Sequence, residues 1–279
     1  MIHVEIDPES GFCGGVIRAI GTAEKYLESN STLYSLGSIV HNEEELARLG
    51  AEGLRSVGAL SEVPAGSAVL IRAHGVPPEI YLQAREAGLE VIDCTCPMVL
   101  RLQKSIREAS GRVLIFGKHG HPEVLGLMGQ TESPVVFQDT EELTGALLAI
   151  PRDAAVDVFS QTTMSPEGYE KACEMVLERI PGAVIHNSIC SQVASRHRKL
   201  SAFAASHDVV VFVSGRSSSN GKVLCELCRS VNPRTYQVRG EGELRPEWLR
   251  DGDRVGVSGA TSTPKWLLER VAATIKNLQ

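Results

Sequence analysis

Three cysteines stand apart in this sequence because each lies in a turn rich in small residues, where a thiolate can point inward at low steric cost. Cys13 sits in Gly11-Phe12-Cys13-Gly14-Gly15, Cys96 in Asp93-Cys94-Thr95-Cys96-Pro97, and Cys190 in Asn187-Ser188-Ile189-Cys190-Ser191. The gaps between them are 83 and 94 residues. Three thiolates without a fourth suit a metal centre that keeps one position open, and iron-sulfur clusters are the usual soft-ligand case. Cys94 is a candidate fourth ligand, although residues adjacent but one point to opposite sides of an extended segment. The remaining cysteines read as core. Cys173 lies in a helical stretch, and Cys225 and Cys228 form a C-x-x-C on an apparent helix with no second half to complete a zinc site.

The second set of chemical residues is polar. His41, His74 and His121 each follow a β-rich segment, and Thr162, Ser218, Ser219, Asn220 and Ser262 add hydroxyl and amide groups in equivalent loops. Histidine N–H, hydroxyl, amide and backbone N–H at helix starts are what a diphosphate needs. They let an acidic protein hold an anion without a basic cluster.

These residues must be positioned by something, and the apolar runs supply it. Six times a short β-rich segment is followed by a polar loop and a helix start: 32–36, 68–71, 113–116, 155–159, 209–213 and 254–257. Pro78-Glu79, Pro122-Glu123 and Pro166-Glu167 mark helix starts. Alternating strands and helices predict an α/β fold with mostly parallel sheets, whose ligands settle outside the carboxyl ends of the strands. Two such units fall in each interval set by the cysteines. The expectation is three similar α/β lobes, 1–95 with the N-terminal strand, 96–187, and 188–279 with a C-terminal helix, arranged pseudo-threefold so that the cysteines meet at the centre.

Composition narrows the class. The 279 residues are 43% hydrophobic and 22% charged, with a net charge of −6, which suits a soluble enzyme with a sizeable core. No basic stripe suggests nucleic acid. The longest apolar run is five residues, as in Val209 to Val213, far short of the ~20 needed to span a bilayer. The acidic start of the chain lacks a secretory pattern, so a cytoplasmic location is expected and a disulfide framework is not.

Taken together, Gly-Phe-Cys13-Gly-Gly-Val, Val40-His41-Asn42, Arg-Ala-His74-Gly-Val, Asp-Cys-Thr-Cys96-Pro, Gly120-His121-Pro-Glu123-Val, Gln161-Thr162-Thr163, Ser-Ser-Asn220 and Thr-Ser262-Thr-Pro264 resemble the 4-hydroxy-3-methylbut-2-enyl diphosphate reductase family. The resemblance runs from about Gly11 to Trp266. It implies the last step of the non-mevalonate isoprenoid route: reductive removal of an allylic hydroxyl with two electrons and two protons, giving isopentenyl and dimethylallyl diphosphate. It implies a central 4Fe-4S cluster held by Cys13, Cys96 and Cys190, with an open position at the unique iron. Glu123 matches the proton donor. His121 and Thr162 would position that acid or relay a proton, and His41, His74, His121, Thr162, Ser218, Ser219, Asn220 and Ser262 match the substrate pocket. Reduced ferredoxin or flavodoxin is the expected electron donor, and the chain is expected to act as a monomer. Two rivals remain, a non-catalytic electron carrier and a phosphate-binding transferase with a nucleophilic cysteine. The first would not need the phosphate-suited loops and the second would not need iron.

Overall fold

The computed structural model describes residues 2–216 and 218–278, with the Ser219 side chain outside the described set. In chain order the first elements are β1 (His3–Ile6), α1 (Gly14–Leu27), β2 (Leu33–Leu36), α2 (Glu43–Glu52), β3 (Leu54–Val57), β4 (Ala68–Ile71), α3 (Pro78–Glu86) and β5 (Glu90–Asp93). Next come α4 (Pro97–Arg107), β6 (Arg112–Phe116), α5 (Pro122–Met128), β7 (Val135–Phe137), α6 (Thr140–Leu148), β8 (Val156–Ser160), α7 (Pro166–Arg179) and β9 (Val184–Ile185). The last are α8 (Ser191–Ala205), β10 (Val209–Val213), α9 (Ser219–Val231), β11 (Thr235–Val238), β12 (Arg254–Gly259) and α10 (Lys265–Asn277). Among the described residues no helix is long and apolar enough to cross a membrane.

The strands form three four-stranded sheets, so the expected α/β class with parallel sheets is what the chain adopts. By its internal contacts the chain divides into two compact units, Met1–Gly58 with Ser195–Gln279, and Ala59–Ala194. The first unit holds a sheet ordered β1-β12-β10-β11, parallel throughout, with Val4 opposite Val255 and Phe212 opposite Ser258. The second holds a parallel sheet ordered β7-β6-β8-β9. The two sheets share one plan, with β1 taking the place beside β12 that β9 takes beside β8. The third sheet is made of the parallel pair β2 and β3 and the parallel pair β4 and β5.

Side-chain alternation explains the continuous apolar runs. Val209, Val211 and Val213 of β10 pack with Leu267, Leu268 and Val271 of α10, while Val210 and Phe212 face Leu200 of α8 and Leu224, Cys225 and Cys228 of α9. A strand covered on both faces needs apolar residues at every position. The same holds for β6, whose Leu114 and Phe116 join one core and whose Val113 and Ile115 join another.

The turns after β2 and β10 are capped by side chains. Asn42 caps α2 by accepting from the Glu45 N–H at 3.0 Å, and Ser218 caps α9 by accepting from the Gly221 N–H at 3.0 Å. Where β1 ends, Asp7 is buried at 3% exposure against Arg196 of α8 at 6%. Arg196 Nη1 lies 2.7 Å from Asp7 Oδ2, Arg196 Nη2 donates to Ser258 Oγ at 2.9 Å and to the Gly259 carbonyl at 3.2 Å, and Ser258 Oγ donates to Asp7 Oδ2 at 2.9 Å. Asp7 also anchors the turn toward Cys13, accepting from the Glu9 N–H on Oδ1 and from the Ser10 N–H on its carbonyl.

Removing one partner of a buried pair leaves an uncompensated charge, so Arg196→Met is expected to cost about 3–5 kcal/mol, read as a lower denaturant midpoint. Asp7→Leu combined with Arg196→Met should recover most of that loss. A single-variant loss under about 1 kcal/mol, the worth of a surface pair, would mean the pair does not anchor the fold.

Candidate active site

The unit Ala59–Ala194 brings six of the sequence-derived residues into one connected arrangement. Its centre is Glu123, the second residue of α5, with 2% of its surface exposed. Pro122 opens the helix and His121 caps it, its Nδ1 accepting from the Glu123 N–H at 3.1 Å. Both carboxyl oxygens of Glu123 are held by one residue beyond the end of β8. The Thr162 N–H donates to Oε1 at 2.7 Å and the Thr162 hydroxyl donates to Oε2 at 2.9 Å. Burial pushes the Glu123 carboxyl up to about 7, against the opposing pull of the two Thr162 hydrogen bonds.

The geometry separates the roles of the two oxygens. A backbone N–H can only donate, so Oε1 remains an acceptor in both protonation states. A hydroxyl can donate or accept, so Oε2 is where a proton can sit while the contact to Thr162 survives. His121, with Nδ1 already accepting, presents Nε2 as its N–H donor.

Thr162 also carries the arrangement toward a cysteine, because its carbonyl accepts from the Cys190 N–H at 2.9 Å. On the other side, the His121 ring meets the His74 ring edge-on with centroids 5.4 Å apart. His74 lies in the loop after β4, where Gly75 has φ +71°, and a Cβ there would stand 2.8 Å from Gln103 Nε2 and 3.0 Å from Thr95 Cγ2. Only glycine suits that left-handed turn with so little room. The same loop accepts from the Cys96 N–H at the Ala73 carbonyl, 3.0 Å away. A continuous path therefore runs Cys96, His74, His121, Glu123, Thr162, Cys190.

The unit formed by Met1–Gly58 and Ser195–Gln279 holds the other residues. At the carboxyl ends of β10 and β12, Ser218 Oγ lies 3.3 Å from Ser262 Oγ, and Asn220 Nδ2 donates to Thr261 Oγ1 at 2.9 Å. Ser262 Oγ donates to the His41 carbonyl at 3.5 Å, which places the three loops of His41, Ser218 and Ser262 side by side. Cys13 precedes α1 in this unit, beyond Gly11, whose Cβ position approaches the Thr263 carbonyl at 3.8 Å. The Ser219 side chain lies outside the described residues. Thr261 and the Ala73 carbonyl were not singled out from sequence. A lone threonine beside Ser262 and a backbone acceptor carry no distinguishing signal.

The seven cysteines sort into two groups. Cys13 and Cys96 occupy the capping positions of α1 and α4 without making a side-chain cap, and Cys190 stands immediately before α8, its carbonyl accepting from the Ala194 N–H. All three are half-buried, whereas Cys94, Cys173, Cys225 and Cys228 are buried. Burial pushes the Cys225 and Cys228 thiols up to about 11 and about 12, against metal or redox use and in line with core packing. Soft thiols at three helix amino ends fit an iron-sulfur centre in their chemistry. Among the described residues no three His, Cys, Asp or Glu side chains converge closely enough to hold a single metal ion. Ligands of a polynuclear cluster each bind a different iron and stand farther apart than ligands of one ion.

The chain is similar to known proteins along its whole length. The family model described as LytB protein matches residues 4–276. The chain is 46% identical to 4-hydroxy-3-methylbut-2-enyl diphosphate reductase of Porphyromonas gingivalis, over 100% of both chains, and 46% identical to the protein of that name from Parabacteroides distasonis, over 100% of this chain and 99% of the other. A solved structure of (E)-4-hydroxy-3-methyl-but-2-enyl diphosphate reductase, the terminal enzyme of the non-mevalonate pathway, superposes with a TM-score of 0.75 at 32% identity, covering 99% of this chain and 100% of that one. The Plasmodium falciparum E-1-hydroxy-2-methyl-but-2-enyl-4-diphosphate reductase superposes with a TM-score of 0.88 at 26% identity, covering 99% and 88%. With its whole length matched in sequence and in fold, the chain belongs to the LytB family of 4-hydroxy-3-methylbut-2-enyl diphosphate reductases.

Proposed function

We propose that this site removes the hydroxyl of (E)-4-hydroxy-3-methylbut-2-enyl diphosphate. The C–O bond breaks, two electrons enter the allylic framework, one proton leaves with the oxygen as water, and a second goes to carbon to give isopentenyl or dimethylallyl diphosphate. The observation that carries this reading is the buried Glu123 carboxyl, held on both oxygens by Thr162 and poised near neutrality. Hydroxide is a poor leaving group, and a protonated acid at that position is what its departure requires.

Cys13, Cys96 and Cys190 would hold a 4Fe-4S cluster with one iron open, which supplies electrons and a Lewis-acid site when bound. The chain's own residues do the remainder. Glu123 holds a proton at Oε2 and releases it toward the departing oxygen, with the Thr162 hydroxyl reversing its donor role as the charge changes. His121 fixes the helix start that presents the acid and offers its Nε2–H. His41, His74, Ser218, Ser219, Asn220 and Ser262 are assigned to the diphosphate, whose binding energy would orient the reacting end. The three sheets suggest lobes at 1–95, 96–187 and 188–279, each opened by one cysteine, with β1 lent to the last. A reduced ferredoxin or flavodoxin would deliver the electrons to a cytoplasmic monomer.

Glu123→Gln keeps both contacts to Thr162, since an amide can donate to the hydroxyl. It is expected to retain iron and substrate affinity while kcat falls ~100-fold to 10,000-fold, the usual worth of a general acid. Full turnover in that variant would remove Glu123 from the mechanism. The working form is protonated, so the rate should fall as pH rises through about 7, and a profile flat from pH 6 to 8 would contradict the assignment.

Stability moves with the same group. The folded carboxyl has the raised pKa, so its contribution is complete below the ordinary carboxylate range and is lost as pH climbs to about 7. Above that pH the glutamine variant is expected to be the more stable, by on the order of 3 kcal/mol. A melting temperature below that of the parent at pH 8 would contradict this.

Cys13→Ser, Cys96→Ser and Cys190→Ser should each lower iron and sulfide content in anaerobically purified protein, and Cys173→Ser should not. Equal iron in all four would end the ligand assignment.

A further inference from the structure

The reaction consumes two electrons per turnover, and the surface that receives them has to lie close to the residues assigned as cluster ligands. One cleft of 380 Å³ in the unit Ala59–Ala194 lies between α4 and the segment that follows β9. Its walls include Met98, Arg101 and Ser105 from α4, and His186, Asn187 and Ser188 from the segment. Met98 is two residues beyond Cys96 and Ser188 is two residues before Cys190. Both walls of the cleft therefore lead, by two residues of chain, into a cysteine turn.

The cleft is rigid at its base. The His186 ring stacks on Phe159 with centroids 4.1 Å apart, and His186 Nε2 lies 2.7 Å from Asp157 Oδ1. Ser188 is locked to β8, accepting from the Ser160 N–H at 2.6 Å and donating to its carbonyl at 2.9 Å. The outer wall is positive. Helix α4 carries Arg101, Lys104 and Arg107 and no acidic side chain, in a chain whose net charge is −6. Arg101 lines the cleft and is exposed, Lys104 on the same face is 67% exposed with its Nζ 3.7 Å from the equally exposed Glu108, and Leu100 adds an apolar side chain at 41% exposure.

We propose that this cleft and the α4 face above it dock a small acidic one-electron carrier protein, which delivers the two electrons in two successive encounters. The inference rests on the reductase reading given above. Positive charge around an apolar contact steers an acidic partner and fixes its register. A rival basic cleft of 420 Å³ is lined by Arg216, Lys222, Arg229 and Arg239 among others. There Glu243 already holds Arg216 at 3.1 Å and Arg239 at 2.6 Å, Glu226 pairs with Arg229, and no cysteine turn adjoins the lining.

The test uses the iron-loaded protein with two reductants, a reduced acidic ferredoxin and a small viologen that needs no docking surface. Arg101→Glu with Lys104→Glu is expected to raise the KM for ferredoxin at least ~10-fold and flatten its salt dependence, while viologen-driven turnover and substrate affinity stay unchanged. Lys222→Glu with Arg239→Glu should leave the ferredoxin KM unchanged. Unaltered ferredoxin kinetics in the first variant would overturn the proposal, as would a loss confined to the second. Ferredoxin binding measured directly by calorimetric titration does not depend on turnover. Equal affinity of parent and first variant would overturn the docking surface even if the viologen assay failed and the reductase reading fell with it.

Discussion

The clamp of Thr162 on Glu123 is the contact on which the rest of the site depends. Burial favours the neutral form of this carboxyl, and the two Thr162 donors favour the charged form. The opposition of the two leaves it near neutrality, where it can both keep and give up a proton. Everything nearby maintains that balance. Pro122 and the His121 cap fix the start of α5, and the end of β8 fixes Thr162. A threonine in any looser loop would not reach both oxygens at hydrogen-bond distance.

Much of this was legible in the sequence, for a physical reason. In the two sheets that lie within single units, the inner strands are β10 and β12, and β6 and β8. All four were read from the chain, because a strand covered on both faces is apolar at nearly every position and stands out from its surroundings. The outer strands β7, β9 and β11 were not. Their burial is mixed, as in Thr235-Tyr236-Gln237-Val238, and β9 is only two residues long. A half-covered edge strand leaves the same trace as a loop. β5 was not read either, being Glu90-Val91-Ile92-Asp93 with charge at both ends.

The chemistry was legible in residue types and not in contacts. Cys13, Cys96 and Cys190 were separable from Cys173, Cys225 and Cys228 because small residues and helix starts surround them, whereas Cys94 shares the turn of Cys96 and only its burial in the fold sets it apart. Glu123 alone reads as an ordinary helix-start carboxylate. What sets it apart is the approach of Thr162 across 39 positions of sequence, which no local pattern announces. Arg196 and Asp7 were passed over for the same reason. An arginine and an aspartate are common on surfaces, and only the fold shows that they are buried together.

The placement of β1 beside β12 bears on how the chain comes together. Strand β1 is synthesised long before its partner, since His3 pairs with Arg254. Until that partner emerges, β1 has no sheet to join, and the sheet built on β10 and β12 lacks its border. Closing so distant a pairing is slow, because loop entropy must be overcome before any contact repays it. The sheet of β6 to β9 pairs only among its own strands and can settle before β12 is made. Folding is thus expected to be ordered in time, with the β6 to β9 sheet forming before β1 meets β12.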